Sequence, residues 1–126
     1  MTLRLRTDLL GLCGQIEALR NNLARYRERY TVKLENTNTQ NAEAAERLRA
    51  IIAGILESID NVMITVDRIS NLVCDSDPSL ASIMKAYYIA DKTYYKIMIG
   101  QNTPIPASIR SAFYEIYRML KILANQ

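Results

Sequence analysis

Two stretches of this sequence carry apolar residues that step alternately by four and three, and the two stretches share one register. In the first, Leu5, Leu9, Leu12, Ile16, Leu19, Leu23, Tyr26 and Tyr30 lead to Lys33. In the second, Ala45, Leu48, Ile52, Ile55, Ile59, Val62, Val66, Ile69 and Val73 keep the same rhythm. A seven-residue repeat held for about four heptads is the pattern of helices that supercoil around a partner. In an antiparallel hairpin, the numbers of facing residues have a constant sum. Leu9 with Ile69, Leu12 with Val66, Ile16 with Val62 and Leu19 with Ile59 all sum to 78. So do Leu23 with Ile55, Tyr26 with Ile52, Tyr30 with Leu48 and Lys33 with Ala45. Unrelated seams would agree in phase only about one time in seven. The midpoint is Thr39, inside a polar stretch from Asn36 to Asn41 whose side chains compete with helical hydrogen bonds. The pattern therefore predicts an intramolecular hairpin with arms of roughly 45 Å. Asn41 is placed to cap its second arm, with Glu43 and Glu46 near the positive end of the helix dipole. Gly11 and Gly14 weaken the first arm, each by up to about 1 kcal/mol against alanine.

The arms differ in width. The first is flanked by Arg6, Gln15, Arg20, Asn22, Arg27 and Arg29, whereas the second adds Ile51, Leu56, Met63 and Leu72 beside its seam. A wide apolar face needs more than one partner helix, so the second helix is expected at the centre. Asp77 reads as the cap of a third helix with Pro78 as its first residue. Its core candidates are Leu80, Ile83, Met84, Tyr87, Tyr94, Ile97 and Met98, and Gly100 is its expected stop. The segment 101–106, with Pro104 and Pro106, is a stiff connector. Ile109, Phe113, Ile116, Leu120 and Leu123 mark a fourth helix. The expected fold is all-α: a long antiparallel coiled-coil hairpin plus two shorter helices, bundle-like and extended. It forms one domain over 1–126, with helices at about 4–35, 41–73, 78–99 and 106–124. Two short helices cannot cover two long arms along their whole length. Tyr26, Tyr30, Leu34 and Leu48 near the hairpin tip are therefore candidates for an assembly interface.

Composition narrows the chemistry. Histidine is absent and the four glycines form no phosphate loop, so acid–base work by histidine is excluded and nucleotide-binding motifs are missing. Glu43, Glu46, Glu57, Asp60 and Asp67 share one helix but lie off its seam, and read as a solvated acidic face. Cys13 has no base to activate it. No enzymatic activity, cofactor, metal site or small-molecule substrate is expected. Cys13 and Cys74 make no metal motif; they read as two unpaired buried thiols, with a disulfide conceivable if the fold brings them together. No apolar run approaches a membrane span, and no signal-peptide pattern follows the basic first residues. The expected location is intracellular or within a virion, not secreted.

The net charge of +3 is modest, but its distribution is uneven. Residues 2–35 carry seven positive and four negative charges, and residues 79–126 carry six and two; the stretch 41–73 between them carries three and five. Within the basic segments, tyrosine is interleaved with lysine and arginine. Lys85, Tyr88, Lys92, Tyr95 and Lys96 are spaced to share one face of the third helix. Arg110, Tyr114, Arg118 and Lys121, with Tyr117, do the same on the fourth, and Arg25, Arg27 and Arg29 cluster near the hairpin tip with Tyr26 and Tyr30. Lysine and arginine bind phosphates, and tyrosine adds a hydroxyl and a stacking plane. The same residues also suit the boundary of a helical core or a protein interface.

In general look, a small basic all-helical chain with long arms resembles coat subunits of filamentous viruses and small coiled-coil adaptors alike. Two functions are therefore expected in competition. One is a self-assembling structural subunit, of capsid or nucleoprotein type, whose partners are copies of itself and DNA or RNA held by the phosphates. The other is a coiled-coil adaptor in an intracellular multiprotein complex.

Overall fold

A computed structural model describes residues 3–37, 41–75, 77–99 and 104–126, with the backbone alone at 98 and 99. The two heptad stretches form helices α1 (Leu3–Glu35) and α2 (Ala42–Val73). They are followed by α3 (Leu80–Tyr94), which passes into a π-helical turn at Tyr95–Ile99, and by α4 (Ala107–Ala124). The four helices pack as an all-α bundle, with no strand among the described residues. Thr39, Met98's side chain, Gly100 and residues 101–103 of the proline-bearing connector lie outside the described residues.

The antiparallel pairing of α1 and α2 is visible in three cross-links. Cys13 is bonded to Cys74, with their Cα atoms 5.7 Å apart; Arg20 Nε lies 2.9 Å from Asp67 Oδ1, and Arg27 Nε 2.8 Å from Asp60 Oδ1. The links recur every seven residues on both helices, which only helices running in opposite directions allow. The two cysteines are therefore a disulfide and not free thiols. Asp60 and Asp67 remain nearly half exposed, as expected of a solvated acidic face, and in addition pair with the arginines of α1. Each exposed ion pair contributes about 0.2–1 kcal/mol.

The seam residues fill the core. Leu12, Ile16, Leu19, Leu23, Ile59, Val62, Val66 and Ile69 are buried, together with Ile109, Phe113, Ile116, Leu120 and Leu123 of α4. The helices form a ring in which α1 meets α2 and α4, and α3 meets α2 and α4. No helix is central, so the expectation for α2 is corrected: Ile51 and Ile64, on its outer side, are each 59% exposed. The third helix starts later than its sequence suggests, because Ser79 and not Asp77 caps it, its Oγ accepting from the Ser82 N–H at 3.1 Å. Ile83, Ala86, Ala90 and Ile97 form its buried face, while Leu80 and Met84 are exposed. Asn41 caps α2 as expected, its Oδ1 accepting from the N–H groups of Glu43 and Ala44 at 3.0 and 3.2 Å.

At 1.5 Å per residue, α1 and α2 are about 50 Å long and α4 about 27 Å. Covering stops where Tyr26 Oη meets Ser108 Oγ at 2.8 Å on α1 and where Pro104 sits beside Gly54 on α2. Beyond those points the arms have only each other among the described residues, and the tip of the hairpin projects.

Candidate nucleic-acid interface

The sequence places three basic, tyrosine-bearing clusters on three helices, and the fold treats them differently. At the tip, Arg27 is neutralised by Asp60, Arg25 is hydrogen-bonded to Asn22, and Arg29 lies over the Tyr26 ring at 5.2 Å. Lys33 lies over Tyr30 at 5.1 Å. On α4, Arg118 pairs with Glu115 at 3.0 Å, while the Arg110 Nε is buried without a hydrogen-bond partner and Lys121 is exposed. The tip cluster is engaged with its own surroundings, whereas among the described residues of the α4 cluster Arg118 alone forms an ion pair.

The α3 cluster is open and is enlarged by packing. Lys85, Lys92 and Lys96 line a groove of about 260 Å³ between α2 and α3, and Arg68 of α2 faces them across it. Thr65, Tyr88, Ile89 and Thr93 complete the lining, with the Thr93 hydroxyl donating to that of Thr65 at 3.2 Å. Four cations thus surround a groove whose lining contains no carboxylate. Among the described residues, Arg68, Lys85 and Lys92 form no ion pair. Of the acids of α2, Asp60 and Asp67 are turned to α1, while Glu57 lines the adjoining groove that Lys96 also borders. Asp91 of α3 is turned to α4, where its carboxylate accepts a 2.8 Å hydrogen bond from the Tyr117 hydroxyl. Arg68 was not singled out by sequence because it stands alone among acidic and apolar neighbours on α2.

The six tyrosines between 87 and 117 divide into two sets. Tyr87, Tyr94 and Tyr117 build the α3–α4 boundary, with Tyr94 and Tyr117 stacked at 4.4 Å and Tyr87 and Tyr117 at 5.7 Å. A hydrogen bond with Tyr87, partial burial and the neighbouring Asp91 carboxylate hold the Tyr117 phenol protonated well above the usual tyrosine range. The second set is exposed: Tyr88 at 64%, Tyr95 at 55% and Tyr114 at 38%. Core-boundary packing therefore accounts for the first set and not for the second.

At the tip, Tyr26 and Tyr30 are half-buried against the core, Leu34 is half-buried and Leu48 is exposed. Tyr30, Leu48, Ile51, Ile52 and Ile55 line an apolar groove of about 570 Å³, so the expected interface gains Ile51 as a further exposed member. No helix among the described residues is long and apolar enough to cross a membrane. Comparison with known proteins finds no matching family model, no similar curated protein and no similar solved structure, so the reading of this surface rests on its own geometry.

Proposed function

We propose that this chain is a non-enzymatic, self-assembling structural subunit that binds nucleic acid through phosphates along its α2–α3 face. The observation that carries the reading is the one-signed groove in which Arg68, Lys85, Lys92 and Lys96 converge from two helices. A cationic groove with low-dielectric walls concentrates polyanions, and its contacts carry no base sequence. The apolar groove at the projecting tip supports packing between copies. The Cys13–Cys74 disulfide supports an oxidising setting, such as an extracellular particle, over a reducing cell interior.

Anisotropy of a labelled DNA duplex tests the groove. Three phosphate contacts, at Arg68, Lys85 and Lys92, correspond to a roughly fortyfold loss of affinity between 50 and 200 mM salt. The combined variant Arg68→Glu, Lys85→Glu, Lys92→Glu is expected to abolish binding while its circular dichroism is unchanged. Binding that is indifferent to both salt and this variant sinks the proposal. Arg27 is the wrong place to probe, because its reversal also breaks the ion pair with Asp60.

The projecting tip also favours a second reading, an adaptor that seats a helix of another protein in the groove beside Leu48 and Ile51. It predicts one stoichiometric protein partner, whose capture is lost on Leu48→Glu and is unaffected by nuclease. Recovery of homopolymer alone counts against it.

A further inference from the structure

The arrangement of the exposed tyrosines narrows the kind of nucleic acid, an inference that rests on the proposed function. Around α3 the lysines and tyrosines form two neighbouring rows. Lys85, Lys92 and Lys96 border the α2–α3 groove opposite Arg68. Tyr88 and Tyr95 lie one step further round, at helical angles facing away from the buried Ala86, Ala90 and Ile97. Among the described residues, the aromatic contact of each ring is with its chain neighbour, Tyr87 at 6.1 Å and Tyr94 at 5.8 Å, and more than half of each tyrosine is exposed. Tyr88 and Tyr95 are seven residues apart, a rise of about 10 Å, and so are Lys85 and Lys92. At a stacking step of about 3.4 Å, two bases fit between the two rings while the lysines hold the phosphates beside them.

We infer that the α3 ridge binds single-stranded nucleic acid, with Tyr88 and Tyr95 as stacking platforms and Arg68, Lys85 and Lys92 as the phosphate track. A cationic groove bordered by open aromatic rings is what an unpaired strand exploits, because its bases are free to leave one another and stack on protein. A duplex keeps its base faces covered and would meet the cations alone.

The test uses the full disulfide-bonded chain and a labelled oligothymidylate of about 20 nucleotides, with a duplex of the same length alongside. The single strand is expected to bind at least tenfold more tightly than the duplex and to quench tyrosine fluorescence. Tyr88→Ala and Tyr95→Ala should each weaken single-strand binding roughly tenfold, and Tyr88→Phe and Tyr95→Phe should restore it, since a phenyl ring still stacks. Equal binding of both forms, with the alanine variants unchanged, overturns this inference and leaves phosphate binding by the groove intact. Failure of both probes to bind, with the charge-reversal variant indistinguishable from the parent, overturns the inference and the proposed function together.

Discussion

The two ends of the long hairpin are built from the same heptad rhythm and end in opposite conditions. At the open end, α3 and α4 close a ring over Leu12, Ile16, Leu19, Ile59, Val66 and Ile69, all essentially inaccessible. At the tip, among the described residues, the same rhythm meets only its partner arm: Ala45 and Ile52 stay buried between the arms, while Leu48 and the flanking Ile51 are 43% and 59% exposed. A heptad seam thus specifies which residues face a partner helix and not how many partners there are. Burial follows from coverage, so the base of the molecule is a packed body and the tip is a two-stranded projection. The disulfide lies at the packed end, 61 residues apart in sequence, and ties off the entire hairpin.

The largest effect that would break this contrast is at the base. Phe113→Ala removes the one buried phenylalanine and should cost about 3–5 kcal/mol, read as a fall in urea midpoint, whereas Leu48→Ala at the tip should cost under about 1 kcal/mol. Equal costs would mean that the tip is covered too. Reduction of Cys13–Cys74, or the Cys13→Ser, Cys74→Ser double variant, should lower stability by about 2–4 kcal/mol, because an open chain regains the entropy that the cross-link removes. Asn41→Ala deletes a cap that satisfies two N–H groups and should cost about 1 kcal/mol. Hydrogen exchange should then quicken over the first turns of α2 and stay unchanged in α4; quickening throughout would show that the tip and base unfold as one unit. The smallest change has the opposite sign. Gly14→Ala meets no atom within 4 Å and should stabilise by about 0.5–1 kcal/mol, sharpening the rigidity of the base.

Much of the hairpin was legible because its evidence is periodic. The register, the two arms, the Asn41 cap and the insufficiency of the short helices all follow from spacing. The third helix was less legible for a physical reason: its buried face is carried by Ala86 and Ala90, small residues that let helices approach closely, while the bulkier Leu80 and Met84 point outward. Asp77 and Ser79 are both competent caps, and only the chain's path into the bundle selects Ser79. The disulfide was within reach. The pairs 13 with 74, 20 with 67 and 27 with 60 each total 87, so opposite charges at two of them already implied that the third was adjacent. Arg68 was not within reach, because nothing along α2 announces that α3 will bring lysines beside it. The three basic clusters look alike in sequence, and their difference arises from where neighbouring carboxylates turn: towards Arg27 and Arg118, and away from Lys85 and Lys92.

The most direct test of a subunit that packs through its tip and coats nucleic acid is light scattering of the purified chain, with and without oligonucleotide. The account predicts a mass above the 14.4 kDa of one copy, growing further when nucleic acid is added, and both increases lost in the Leu48→Glu, Ile51→Glu variant. A mass that stays at one copy across concentrations, with nucleic acid present, would contradict it.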